Sequence, residues 1–94
     1  MLSPQNIRWR VFFRRKVEKQ VIKMPRTEQV KLANLIEDLE SKGPIRNEWK
    51  NFSRLSANKY HCHLSYSWVA CWRVENQILE IEVYYAGSRE NAPY

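Results

Sequence analysis

His61 and His63 stand two residues apart in Lys59-Tyr60-His61-Cys62-His63-Leu64, where apolar and polar side chains alternate. In an extended strand that spacing puts both imidazoles on one face. Imidazole titrates near neutral pH and can act as base or acid, so the pair suits proton transfer. Cleaving RNA by attack of a 2′-hydroxyl on the adjacent phosphate needs a base, an acid for the leaving 5′-oxygen and cations on the phosphate. His61, His63 and Arg89 are residues of those types. Two polar side chains decorating the wet face of a sheet is the plain alternative, and these residues alone do not separate the two.

His61, His63 and Cys71 could also converge as three metal ligands on neighbouring strands. No close Cys-x-x-Cys or His-Glu-x-x-His spacing accompanies them, so no metal or other cofactor is expected. Cys62 and Cys71 are too few for a disulfide scaffold, and both are expected reduced. Among the aromatics, Tyr84, Tyr94 and Tyr66 are placed to stack on bases, whereas Trp68 and Trp72 belong to the core.

The formal charge is +6, from sixteen Lys and Arg against ten Asp and Glu. Residues 1–50 carry twelve basic and six acidic side chains, while 51–94 carry four of each. Within 8–26, eight bases (Arg8, Arg10, Arg14, Arg15, Lys16, Lys19, Lys23, Arg26) meet one acid, Glu18. The positive field belongs to the first quarter of the chain and favours a polyanionic partner. Arg8, Arg10, Arg14, Arg15, Lys16, Lys19, Lys23 and, further on, Arg73 are therefore the candidate RNA-binding residues. A solvated helix face that aids solubility is the competing reading.

The elements that must position these residues follow from periodicity. Ile7, Trp9, Val11 and Phe13 alternate with Arg8, Arg10 and Phe12 as a half-buried strand over 7–13. Val17, Val21 and Met24 then repeat at helical spacing until Pro25, and Thr27 is a candidate cap for a second helix. In that helix Val30, Ala33, Leu35, Ile36 and Leu39 form the apolar stripe, with Lys31, Asn34, Glu37, Asp38 and Glu40 toward water. Gly43 and Pro44 stop it. Residues 45–58 lack a period and read as a connection pinned by Trp49, Phe52 and Leu55.

Three strand patterns close the chain. Tyr60, Cys62 and Leu64 oppose His61 and His63; Trp68, Ala70, Trp72 and Val74 oppose Val69, Cys71 and Arg73; Leu79, Ile81, Val83 and Tyr85 oppose Glu80, Glu82 and Tyr84. Short connections imply antiparallel hairpins, and the tail from Gly87 reads as irregular. The expected fold is α+β, in the order β-α-α-β-β-β, with a helical hairpin on one face of a small, mostly antiparallel sheet. Parity then places Arg8, Arg10, His61, His63, Val69, Cys71 and Arg73 on the other, open face. If Leu64 faces Trp68, His63 opposes Val69 and His61 opposes Cys71.

Ninety-four residues, 44% of them apolar, suit one domain spanning 1–94. No apolar run approaches the ~20 residues of a membrane span. Met1-Leu2-Ser3-Pro4-Gln5-Asn6 lacks a secretory apolar stretch. A cytoplasmic location is expected by default.

The element order, Lys59–Leu64, Trp68-Val69-Ala70-Cys71-Trp72 and the tail Gly87-Ser88-Arg89-Glu90-Asn91-Ala92-Pro93-Tyr94 together resemble the RelE/ParE superfamily of toxins from prokaryotic toxin–antitoxin pairs. The resemblance covers nearly the whole chain and is strongest from Trp49 to Tyr94. It implies one of two activities. RelE-like members cut messenger RNA in the ribosomal A site without a metal, inhibiting translation; ParE-like members inhibit DNA gyrase. It also implies a cognate antitoxin partner, commonly wrapping the toxin with an amphipathic helix in a hetero-oligomer, and for the RelE branch the ribosome and mRNA.

By the same resemblance, His61 and His63 fall where RelE-like toxins have two lysines, Arg89 on an arginine ending the last strand, and Tyr94 near a C-terminal tyrosine. His61, His63, Arg89 and Tyr94 are thereby the candidate catalytic set. Val69 stands where the pattern has a third-strand arginine, and Arg73 lies further along that face. The leading expectation is a ribosome-dependent endoribonuclease. A ParE-like gyrase inhibitor and an inactive RNA- or protein-binding member remain open beside it.

Overall fold

Alternation of Arg10, Val11 and Phe12 yields a short strand, β1 (Arg10–Phe12), in the computed structural model, which describes residues 8–75 and 79–94. Ile7 and the Met1–Asn6 segment lie outside the described residues. The remaining elements are α1 (Arg15–Ile22), α2 (Arg26–Lys42), β2 (Ser53–Arg54), β3 (Lys59–Ser65), β4 (Trp68–Val74), β5 (Glu80–Ser88) and a 3-10 turn (Arg89–Asn91). The sheet order is β1-β5-β4-β3-β2, with β1 parallel to β5 and every other pair antiparallel. The α+β expectation holds, with one strand more than the periodicity implied. That strand, β2, is two residues within the connecting segment, too short to leave a pattern.

The helices meet the sheet through Val17, Met24, Leu32, Leu35 and Leu39 on one side and Tyr60, Cys62, Leu64, Ala70, Trp72, Ile81, Val83 and Ala86 on the other. Phe52 from the connection joins Tyr60 and Trp72 in an aromatic stack with centroids 5.9–6.3 Å apart. Trp49 is tied to α2 by its Nε1–H, which donates to Asp38 Oδ2 at 2.8 Å.

Two expectations about the helices are corrected. Thr27 does not cap α2; Pro25 occupies that position, Thr27 lies inside the first turn, and no side chain caps the end. The Gln29 amide instead reaches back to the Val21 and Met24 carbonyls, supplying donors to the end of α1. The buried face of α2 is Glu28, Leu32, Leu35 and Leu39, while Val30 and Ala33 are exposed. Helical spacings of three and four fit Val30, Ala33 and Ile36 as well as Leu32, Leu35 and Leu39, and packing on the sheet selects the three leucines. At the far end Gly43 has φ +90 and donates its N–H to Leu39 O at 2.9 Å. A Cβ there would meet Trp9 Nε1 at 2.9 Å, so both backbone conformation and space require glycine.

Two bulges adjust the faces. His63 pairs with Val69 and His61 with Cys71, as the register argument requires, but Trp68 pairs with Ser65 and Leu64 is the extra residue. On the other side of β4, Cys71 pairs with Tyr85 and Trp72 with Val83, leaving Tyr84 unpaired. That insertion reverses parity beyond Val83. Tyr85, expected in the core with Ile81 and Val83, instead packs with Val69 and Cys71 on the face away from the helices, and Tyr84 packs beside it. Gly87 and Ser88, expected in an irregular tail, belong to β5.

Candidate functional site

β3 lies between β2 and β4, and its even-numbered residues enter the core, so His61 and His63 project from the opposite face. Their ring centroids are 5.7 Å apart. The face is not open, however: His61 is 7% and His63 9% exposed, and Val69 and Cys71 are fully buried. Antiparallel sheets can leave one face wet; here the chain itself covers it. After the 3-10 turn, anchored by Arg89 N–H to Ser67 O at 2.8 Å, Ala92 packs against Val69, Cys71 and Tyr85. Tyr94 then brings its ring to 4.3 Å from that of His61. From the β2 side, Ser53 Oγ lies 3.0 Å from His61 Nδ1 and Asn51 Nδ2 lies 3.5 Å from His63 Nδ1.

This enclosure sets the electrostatics. Burial holds the His61 imidazole below its ordinary range, the neighbouring His63 adds to this, and a hydrogen bond to the Ser53 backbone opposes it. Burial likewise lowers His63, helped by the positive charges of Arg89 and Lys50. Both environments therefore favour the neutral ring, the form able to accept a proton. Burial pushes the Cys71 thiol up to about 12, so it is not a thiolate nucleophile. Tyr94 is also raised, first by burial, and keeps its hydroxyl proton near neutrality. Among the described residues, no three His, Cys, Asp or Glu side chains gather as a metal site, and Cys71 does not join the histidines in one.

The two ends of the histidine pair differ. Arg89 is exposed at the His63 end, its guanidinium 5.1 Å above the Tyr66 ring. Beyond His61, the register sets Lys59 opposite Arg73. Arg73 is engaged: it contacts Glu75 at 3.2 Å and Glu82 at 3.3 Å and lies 4.9 Å over Tyr84. Lys59 lies 5.7 Å over the same ring, and Tyr94 borders the groove they form.

The basic candidates divide by position. Arg8, assigned by parity to the sheet face away from the helices, instead pairs with Glu37 and Glu40 of α2 at 3.2 and 3.3 Å. The extended pattern read over 7–13 contracts to three strand residues, so alternation does not carry back to Arg8. Arg10 pairs with Glu80 at 2.8 Å and Arg14 with Glu82 at 3.3 Å, both guanidiniums lying over the Phe12 ring. Arg15, Lys16, Lys19 and Lys23 line one shallow groove along α1. Lys23 also borders a cleft against Gly87, Ser88 and Asn91, which leads from α1 to the turn carrying Arg89.

Ser53, Asn51, Lys50 and Lys59 were not read as site residues from the sequence. Lys50, Asn51 and Ser53 lie in or beside β2, which is too short to show alternation, whereas Lys59 opens β3. Only the left-handed backbone of Asn51, φ +54, marks the place, and it is visible only in the fold.

No protein-family model matches this chain, and no curated protein sequence matches it significantly. Solved structures do. The Escherichia coli toxin RelE, as a mutant in the free state, is 17% identical with a TM-score of 0.72, over 90% of this chain and 87% of that one. The RelE of an archaeal RelE–RelB complex from Pyrococcus horikoshii is 16% identical with a TM-score of 0.70, over 89% and 98%. A YoeB dimer from Staphylococcus aureus gives 10% identity and a TM-score of 0.68, over 85% and 95%. At these identities the likeness is one of fold, and over nearly its whole length the chain has the fold of the RelE-like toxins.

Proposed function

We propose that this protein is the toxin of a toxin–antitoxin pair and a metal-independent endoribonuclease that cleaves mRNA on the ribosome. The observation that carries the reading is a pair of imidazoles with ring centroids 5.7 Å apart on one strand face, the Tyr94 ring 4.3 Å from one of them. One imidazole takes the proton of an RNA 2′-hydroxyl as its oxygen attacks the adjacent phosphorus. The P–O5′ bond breaks, a 2′,3′-cyclic phosphate forms, and the 5′-oxygen leaves with a proton from the other ring in its cationic form. Arg89 faces the negative charge that grows on the phosphoryl oxygens. Tyr94 stacks on a base or occupies that place before substrate arrives.

Arg15, Lys16, Lys19 and Lys23 of α1 grip ribosomal RNA through phosphate contacts. A cognate antitoxin is the protein partner; structures of similar fold include the RelE–RelB and YoeB–YefM complexes. Induced expression followed by mapping of mRNA 5′ ends, with and without translation, tests the reading. New 5′ ends confined to translated messages support it, and intact mRNA during growth arrest contradicts it.

One observation favours a non-cleaving, ParE-like toxin. Val69 is fully buried at the position that the resemblance gives an arginine, and Arg73 is held by Glu75 and Glu82. Growth arrest with a DNA-damage response and intact mRNA would point there.

A further inference from the structure

Resting on the ribonuclease reading above, we propose that Asn51 and Ser53 are positioning residues that fix which ring nitrogen each histidine presents to substrate. Both come from one short segment beside β3, and each meets the same atom, Nδ1, of one imidazole: Ser53 that of His61 at 3.0 Å, Asn51 that of His63 at 3.5 Å. The backbone of Ser53 also hydrogen-bonds the His61 ring. No buried side-chain polar atom among the described residues is left without a partner. The two rings thus turn the same nitrogen, Nδ1, toward this segment.

The backbone holds the segment at these two residues. Ser53 pairs with His61 in the ladder, and the His63 N–H donates to Lys50 O at 2.8 Å. Between them Asn51 has φ +54, a left-handed conformation that asparagine tolerates better than most residues. A backbone bent at this point carries the Asn51 amide to His63, while the next turn of the pleat carries the Ser53 hydroxyl to His61.

The pairing has chemical consequences. If Ser53 Oγ accepts the Nδ1–H of His61, Nε2 is left with its lone pair, the form a base needs. Protonation at Nε2 then leaves the Ser53 contact intact in the cation. At His63 the Asn51 amide offers N–H to the neutral ring or, turned over, Oδ1 to the Nδ1–H of the cation. One residue thus accommodates both charge states of a proton-shuttling ring.

Long-range ¹H–¹⁵N NMR on the labelled full chain reads the tautomer and titration of each imidazole directly. We expect neutral His61 to carry its proton on Nδ1. Ser53→Ala should move it to Nε2 without changing His63, and Ser53→Thr should restore the Nδ1–H form. Asn51→Asp should raise the His63 pKa by about one unit or more, through a carboxylate beside the imidazolium. Asn51→Gly, which keeps the left-handed backbone accessible, should not raise it. In cleavage assays Ser53→Ala should lower kcat and leave KM unchanged.

Unaltered His61 tautomer in Ser53→Ala together with an unaltered His63 pKa in Asn51→Asp, in proteins with native-like dispersed spectra, would overturn the proposal. The NMR signals are independent of RNA. Shifted tautomers in a protein that cleaves no RNA would overturn the ribonuclease reading alone, and cleavage with unmoved tautomers would overturn the positioning role alone.

Discussion

The Tyr94 ring lies 4.3 Å from the His61 ring, inclined by 42°, so the last described residue covers an imidazole of β3. Tyr94 is itself 54% exposed, and little holds it there apart from this contact and the packing of Ala92 before it. Removing the ring should release His61 from part of its desolvation. Tyr94→Ala should move the His61 pKa up toward the ordinary imidazole value while lowering stability by only about 0.5–1.5 kcal/mol, the scale of one aromatic contact. An NMR titration and a thermal melt of the same sample measure both.

The acid limb of activity follows from the histidine environments. His61 and His63 are both lowered, each first by burial, so the folded state binds fewer protons than the unfolded chain as pH falls through and below the unfolded imidazole range. Stability from these groups is present above the unfolded pKa and is lost as pH drops through the folded values. The form with one neutral and one cationic ring peaks between the two apparent pKa values of the pair, both below 6.5. Single-turnover cleavage of RNA should therefore be fastest on the acid side of pH 6.5, and denaturant unfolding should show a fall in stability over the same window. A rate maximum above pH 7 would contradict this assignment.

The orientation of α2 is checked by paired substitutions. Leu35 is fully buried and Val30 is 51% exposed. Leu35→Ala should cost about 2–5 kcal/mol, as core truncations do. Val30→Ala should stay within about 0.5 kcal/mol, as surface changes do. Urea titrations of the two variants give the comparison, and equal effects would mean the helix is rotated from the position described.

Lys16, Lys19 and Lys23 line one groove on α1, away from the histidine pair. If they contact phosphates, replacing all three by Ala should reduce the salt dependence of RNA binding by about two units of slope, at roughly 0.7 per single-stranded contact. Cleavage of a bound substrate should proceed at an unchanged rate. Binding measured across a salt series separates this from any loss of catalysis.

These features differed in how far the sequence displayed them. Element order, the in-and-out alternation of β3 and β4, and the pairing of His61 with Cys71 and His63 with Val69 were legible because a period of two leaves little choice of register. The fate of Tyr85 was not, since one inserted residue, Tyr84, reverses every face beyond it and bulges carry no consistent residue signal. On α2, Leu32 joined the expected Leu35 and Leu39 in place of Val30 and Ala33, because helical spacing alone admits either choice. The site was legible in part. The histidines and Arg89 announced themselves by type and order, but the cover over them did not. Alternation shows which face of a strand is polar; that Ala92 and Tyr94 fold back over this face depends on contacts more than twenty residues apart in sequence.

Proton transfer by the histidine pair is the step on which the proposed RNA cleavage by this protein depends. It is tested most directly by inducing His61→Ala/His63→Ala beside the unsubstituted protein and mapping mRNA 5′ ends in both cultures. The double variant should accumulate to a similar level, leave translated mRNA intact and no longer arrest growth. Unchanged arrest with the same cleavage sites in the double variant would contradict it.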